Sequence, residues 1–332
     1  MRERHVISQI AALTGPSSHP LLVQGIGDDC AVLSGQIADD HLVTTDMLVE
    51  GVHFDCRWHP AHLLGRKSLA VSVSDIAAMG GEARFALLSL ALPSRLGDAW
   101  IAEFIEGFVS KLAEEQVILI GGDTVGGDKL VISVTVLGGV AQGKAIKRQG
   151  ARPGDGIYVT GPLGLAAAAL HLCQNQCFKI EDVAMSPWPN LLKALLDPEA
   201  QSAMGMLLGS FGGVSAMQDI SDGIATDLAH ICQASRVAAE IFADCLAPHP
   251  DLENYCRLVG LNPIDLQLRG GEDYQLLFTM PPRREPALFL ACAAESLPEP
   301  QRIGVVREGA GIWLRQGGAA TEITFQGYEH RS

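Results

Sequence analysis

Apolar and polar positions alternate along HLVTTDML (41–48) and ARFALLSLALP (83–93), and β-branched runs dominate VILIGG (117–122) and KLVISVTVLGGV (129–140). These segments predict four strands in the first half of the chain. Between Asp98 and Gln116 the period changes: Trp100, Ile101, Phe104, Ile105, Phe108 and Leu112 recur at helical spacing. The stretch from His62 to Met79 is helix-compatible too, which brings Asp75 near a helix end. Regular patterning stops at KRQGARPGDGIYVTGPLG, where Gly150, Pro153, Gly154, Gly156, Gly161 and Pro162 interrupt any element. We therefore place a domain boundary near residue 148, giving domains 1–148 and 149–332. The second half predicts helices at Leu163–Cys177, Leu191–Leu208 and Ile224–Ala234. It also predicts a short strand into QDISDG and strands at AAEIFAD, YQLLFTM, RIGVV and GIWLR. The pattern is that of a mixed α/β chain in two domains.

With 332 residues, 48% of them hydrophobic, the chain is long enough to bury a substantial core. A formal charge of −14 and a pI near 5.1 argue against nucleic acid as a partner, because phosphate-backbone binding needs clustered Lys and Arg. An acidic chain still binds phosphates when metal ions sit between the two sets of negative charge. The eight cysteines are scattered without paired spacings, the usage of a reduced cytosolic protein. Cys173 and Cys177, the closest pair, fit neighbouring turns of one apolar helix rather than a metal site. The opening MRERHVISQIAALTG does not read as a signal peptide, and no segment approaches the roughly 18 uninterrupted apolar residues of a spanning helix. A cytoplasmic location with no membrane partner is the expectation.

The carboxylates change the picture most. Asp28 and Asp29 stand in GIGDDCAVL, Asp46 in TTDMLVEGVHF, Asp75 in VSVSDIAAMGG and Asp123 in LIGGDT. Asp219 and Asp222 follow in MQDISDGI, and Glu272 and Asp273 in RGGEDYQLLF. Any one Gly-Asp pair is more simply a turn. Asp46 is harder to assign to structure, because aspartate is disfavoured in strands and alternation puts Thr44 and Asp46 on one face, Thr45 on the other. Acidic stretches at the edges of apolar elements, flanked by Gly, Ser or Thr, supply what a hard cation needs. Mg²⁺ joins one or two carboxylates to substrate phosphates rather than filling an all-protein cage. Carboxylates clustered without cations would repel one another and raise their own pKa values. The spacing lacks the order of a calcium loop, so separate segments must converge in space. GGVAQGKA (138–145) approaches a P-loop, but Ala145 replaces the Mg²⁺-binding hydroxyl, and Gly150 and Pro153 follow too soon for the helix. A turn between strands is the better reading. Neither G-x-S-x-G nor a convincing Cys/His pairing marks a nucleophilic hydrolase.

Read in order, GIGDDCAVL, TTDMLVEGVHF, GRKSLAVSVSDIAAMGG, LIGGDT, KRQGARPGDGIYVTG, QDISDGIATDLAHI and GGEDYQLLFT resemble the thiamine-monophosphate kinase family. That family belongs to the superfamily of aminoimidazole ribonucleotide synthetase, and the match covers nearly the whole chain. The resemblance implies a two-domain α/β fold that forms a homodimer through its N-terminal sheet, with ATP in a cleft partly shared between subunits. It implies that Asp29, Thr44, Thr45, Asp46, Asp75, Asp123, Asp219 and Asp222 bind Mg²⁺. Gly122, Asp123, Arg148 and Ser221 would contact the nucleotide, and His53, Glu272 and Phe325 would hold thiamine monophosphate. GPLGLAAAAL departs from the form expected in several relatives, so contacts by Gly161–Gly164 stay open. GVHF and GGEDYQLLF favour the thiamine reading over aminoimidazole ribonucleotide synthetase. A divalent-cation-binding regulator without catalysis is the remaining alternative, and Lys144, Lys147 and Arg148 beside the acidic groups speak against it.

Overall fold

The computed structural model describes residues 22–24, 28, 31–34, 39–175 and 179–329. Asp29, Cys30 and Cys177 lie outside the described residues. The first sheet comprises β1 (Leu22–Gln24), β2 (Ala31–Ser34), β3 (Asp39–Val49), β4 (Glu82–Leu92), β5 (Ile118–Gly126) and β6 (Val131–Ala141), in the order β1-β2-β3-β6-β4-β5. Its pairings are antiparallel except β4 with β5. Helices α1 (Ala61–Ala78) and α2 (Asp98–Glu114) pack on one face.

The alternation predicted for β3 is real: Asp40, Leu42, Thr44 and Leu48 are buried, while His41, Thr45 and Met47 face the other way and are exposed. That outer face carries Met47, Phe85, Ile118, Ile120 and Val125, all exposed, and β5 is exposed along its whole length. Such a contiguous apolar surface is unusual for a lone soluble domain.

The second sheet is built from β7 (Gly156–Val159), β8 (Ala216–Asp219), β9 (Ala238–Phe242), β10 (Leu276–Met280), β11 (Gln301–Arg307), β12 (Ile312–Gln316) and β13 (Ala319–Glu322), in the order β13-β12-β9-β11-β7-β10-β8. Around it lie α3 (Leu165–Asn175), α4 (Ile180–Val183), α5 (Pro189–Leu196), α6 (Ser202–Phe211) and α7 (Ile224–Ser235). The set is completed by α8 (Pro250–Val259), α9 (Pro263–Arg269) and α10 (Glu285–Ala294). The single helix expected over Leu191–Leu208 is two, α5 and α6. The break falls at Asp197-Pro198, where proline disfavours helix in the residue before it. The glycine-rich junction contains a strand, β7, buried in the sheet despite its flanking breakers. No helix follows GGVAQGKA: the chain turns and runs to β7, which rules out a P-loop.

Helix α1 is buried almost all round, its apolar residues together with Lys67, Ser68, Ser72 and Ser74. The first-sheet core packs on one side. On the others, Ala77 and Ala78 join a cluster with Met204 and Leu208 of α6. Contact with α2 is backbone-close: a Cβ at Gly107 would stand 1.8 Å from the His62 carbonyl oxygen, and one at Gly65 would stand 2.1 Å from that of Phe104. We expect Gly107→Ala to force these helices apart and cost about 1–3 kcal/mol, read as a lower urea midpoint at unchanged slope. An unshifted midpoint would mean the helices part freely.

Candidate active site

The last turn of α1 organises the acidic groups. Asp75 sits there although a helix C-terminus disfavours negative charge, so its position answers to something other than helix stability. The Thr44 hydroxyl donates to Asp75 Oδ2 at 2.5 Å, joining α1 to β3. One residue earlier, the Ser74 hydroxyl donates to Asp219 Oδ2 at 2.6 Å, joining α1 to the end of β8 in the second domain. Neighbouring residues on one helical turn thus tie the helix to both sheets, Asp75 to the Thr44 hydroxyl of the first and Ser74 to the Asp219 carboxylate of the second.

The loop between α9 and β10 closes the arrangement. A Cβ at Gly271 would lie 2.4 Å from the Ser221 carbonyl oxygen, so this close approach requires glycine. Glu272 and Tyr274 adopt left-handed backbone, φ 65° and 47°. Their N–H groups donate to Ser221 O at 2.8 Å and Ile220 O at 2.9 Å. Strain of this kind persists only where surrounding contacts hold it, and it concentrates at functional sites. The Asp273 carboxylate accepts the Gly164 N–H, at 3.0 and 2.9 Å to its two oxygens, which accounts for part of GPLG as a cap on α3. Burial pushes Asp273 up to about 8 against the opposing pull of the Gly164 and Ala166 N–H groups.

The electrostatics register how close the acids come. The Tyr274 phenol is pushed well up, first by burial, then by Glu272, Asp46, Asp219 and Asp222. Asp227, fully buried, is pushed well up by burial and by the charges of Asp222 and Asp219, while Arg148 pulls it the other way. Its oxygens accept Gln218 Nε2 at 3.0 Å and the Asp222 N–H at 3.1 Å. Among the described residues no three His, Cys, Asp or Glu side chains are grouped closely enough to hold an ion by themselves. An oxygen-only donor set spread over several segments fits Mg²⁺ completed by phosphate oxygens and water.

These groups line a cleft of about 1440 Å³ between the domains. Asp46, Asp75, Asp219, Asp222 and Glu272 form its acidic wall, and Ser221 and His53 line the same cleft. The Nδ1 atom of His53 accepts the Val49 N–H at 3.0 Å, leaving Nε2 to donate. Phe54, Trp58, Leu170 and Tyr328 supply an apolar side.

Other predicted residues stand elsewhere. Thr44 lies behind Asp75, and Thr45 is on the opposite sheet face, 2.9 Å from the Thr135 hydroxyl. Gly122 and Asp123 are exposed on β5, which continues through them to Gly126. Sheet register sets Gly122 in the row of Leu88, Val134 and Asp46, three strand spacings or about 14 Å from Asp46. They do not line this cleft. Nor does Arg148, whose N–H donates to the Asp28 carboxylate at 3.1 and 3.2 Å, so Asp28 serves the junction. Phe325 packs on the second core, 5.5 Å edge-on from His230, and the aromatic ring of this segment that lines the cleft is Tyr328. Sequence reasoning missed Tyr328, Tyr274, Asp227 and Lys67; a lysine inside the apolar run of α1 was a readable signal for the last.

Two family descriptions match the chain: AIR synthase related protein, N-terminal domain, over residues 27–140, and the C-terminal domain of the same family over residues 152–315. Fold and cleft thus define a two-domain protein of the AIR synthase related class. Within that class, the thiamine-monophosphate kinase of Bacillus subtilis (strain 168) is 35% identical over 315 residues, 94% of each chain. That of Escherichia coli (strain K12) is 36% identical over 312 residues, 92% of this chain and 91% of the relative. A solved structure of AaThiL complexed with AMPPCP and TMP aligns with TM-score 0.82 at 32% identity, covering 97% of this chain and 96% of that one. The chain belongs to the thiamine-monophosphate kinase family and is an enzyme of that family.

The Ser74–Asp219 bond gives a direct test of how the site is held. Ser74→Ala leaves a buried carboxylate oxygen short of its donor, and we expect a loss of about 1–3 kcal/mol in denaturant unfolding. Stability equal to the parent protein would show that Asp219 needs no such support.

Proposed function

We propose that the protein transfers the γ-phosphoryl group of ATP directly to the phosphate of thiamine monophosphate, giving thiamine diphosphate and ADP. The observation that carries this reading is the convergence of Asp46, Asp75, Asp219 and Asp222, drawn from both domains, on one cleft that also presents Glu272 and His53. At about 1440 Å³ the cleft exceeds the about 300–1,000 Å³ of single-ligand pockets, enough for two substrates side by side. The relatives' names and the AMPPCP and TMP of the aligned structure support the same pair.

Chemistry assigns the parts. The accepting phosphate oxygen is already ionised near neutral pH, so no general base is required and no proton-transfer or nucleophilic role falls to a His or Cys. The remaining task is to bring two polyanions into line and offset charge on the transferring group. Asp29, Thr44, Thr45, Asp46, Asp75, Asp123, Asp219 and Asp222 are the proposed Mg²⁺ ligands. Bound Mg²⁺ supplies charge neutralisation and a template for the phosphates. Gly122, Asp123, Arg148 and Ser221 are assigned to the nucleotide. His53 and Glu272 are assigned to thiamine monophosphate: an anionic carboxylate suits its cationic thiazolium, and His53 Nε2 can donate to an acceptor. Phe325 keeps the substrate role through the segment it anchors, while Tyr328 offers the ring in the cleft.

A homodimer through the open face of the first sheet completes the proposal, in the cytoplasm. Exposed Met47, Phe85, Ile118, Ile120 and Val125 support that interface. Sharing the cleft between subunits also gives Gly122 and Asp123 a use that their distance from their own cleft denies them. Ile120→Lys should shift the protein from dimer to monomer in sedimentation velocity, and a persisting dimer would remove this face.

The deciding experiment incubates pure protein with ATP, Mg²⁺ and thiamine monophosphate and follows products by chromatography. Thiamine diphosphate and ADP should appear one to one and vanish with EDTA. ADP formed only with formylglycinamidine ribonucleotide would move the substrate to that of aminoimidazole ribonucleotide synthetase, and cation binding indifferent to nucleotide would favour a regulator. Asp46→Asn should abolish turnover while changing unfolding stability by no more than about 1 kcal/mol; near-normal turnover would take Asp46 out of the mechanism.

A further inference from the structure

Lys67 stands in the middle of α1 with its side chain 1% exposed, and the reaction above gives it no task. An isolated ammonium there would be very costly. It is instead fully engaged: Nζ donates to the Leu195 carbonyl oxygen at 2.9 Å and lies 3.1 and 3.2 Å from the two carboxylate oxygens of Glu272. Two hydrogen bonds and an ion pair thus hold the ammonium. Leu195 belongs to the last turn of α5, where carbonyl oxygens carry the negative end of the helix dipole. The neighbouring His59 is pushed well below its usual range by burial and by the Lys67 charge, so it adds no competing positive charge at neutral pH.

Glu272 is the other half of the pair. Its side chain is 23% exposed at the cleft wall, and its left-handed backbone is tied to Ser221. Without Lys67 that backbone anchor would still leave the carboxylate free to rotate. With it, both oxygens are held from behind and their remaining lone pairs are available to the cleft.

We propose that Lys67 is the positioning residue for Glu272, holding the carboxylate at the cleft wall where it meets the cationic part of the phosphate-ester substrate. This rests on the reading of the cleft as a thiamine monophosphate site. Lys67 acts through Glu272 and touches neither substrate, so it governs affinity for the thiamine ester far more than affinity for ATP.

The test is a double-substitution cycle in the full-length protein, measuring KM for thiamine monophosphate and for ATP in the parent, Lys67→Met, Glu272→Gln and the double variant. Lys67→Met should raise KM for thiamine monophosphate about tenfold or more, with a much smaller change for ATP. In the Glu272→Gln background the same substitution should add little, because its route to the substrate is already gone. A purely structural lysine would affect both substrates alike and would add its effect in both backgrounds; either result overturns the proposal. Should Lys67→Met fail to fold, Lys67→Arg takes its place in the cycle, keeping the charge and altering the donor geometry. A parent protein that does not turn over thiamine monophosphate sinks the functional reading and this inference together, whereas an active parent with an additive cycle sinks the inference alone.

Discussion

The burial of α1 between two domains is the constraint on which the rest of this structure depends. Most of its residues, polar ones included, are buried, and packing the second domain against the first covers the sides that the first sheet leaves open. Each polar group it carries then needs a partner inside the molecule. Arg66 pairs with Glu114 of α2 at 2.7 Å and with Asp197, beyond α5, at 2.8 Å. Lys67 reaches Leu195 and Glu272, Ser74 reaches Asp219, and Asp75 receives Thr44. The domain interface and the site are therefore one object: the contacts that seal the helix also orient the carboxylates.

The same burial sets an electrostatic problem that bound cations, in the function proposed above, would resolve. Asp46, Asp219, Asp222 and Glu272 stand near enough to raise Tyr274 together, and Asp227 behind them is pushed up by two of its neighbours. Left alone, such a cluster lowers stability; with cations and phosphates it becomes complementary to its ligands. A site of this kind stores its cost in the empty state and would recover it on binding, which reconciles the proposed pair of charged substrates with an acidic protein.

Much of this was legible in the sequence, for identifiable reasons. Alternation along HLVTTDML placed Asp46 and Thr44 on the inner face of β3, and the period in 98–116 gave α2 almost to the residue. The break at Pro198 was readable, since Asp197-Pro198-Glu199 interrupts the apolar run between Leu196 and Met204. Lys67 could be flagged as an oddity, yet its partner lies 205 positions away, and no local pattern encodes such a pairing. Tyr328 and Phe325 show a subtler limit: two aromatics three residues apart at a chain end differ in role only through the turn that buries one and exposes the other. Asp123 was legible as a motif, but the sheet order that carries it three strands from Asp46 was not.

That separation bears on how the chemistry is assembled. A phosphoryl transfer that needs no general base depends on alignment, so its residues can be distributed widely provided something rigid holds them in register. Here β3 and α1 supply Asp46 and Asp75, β8 and the loop after it supply Asp219 and Asp222, and Lys67 locks Glu272 to the same helix. Gly122 and Asp123 sit on β5, beside the exposed apolar residues of that sheet face. If covering that face and completing the cleft are one event, association and activity share a single equilibrium. Dilution below the dimer dissociation constant would then lower turnover without loosening the α1 contacts, separating what the sheet face contributes from what the buried helix does.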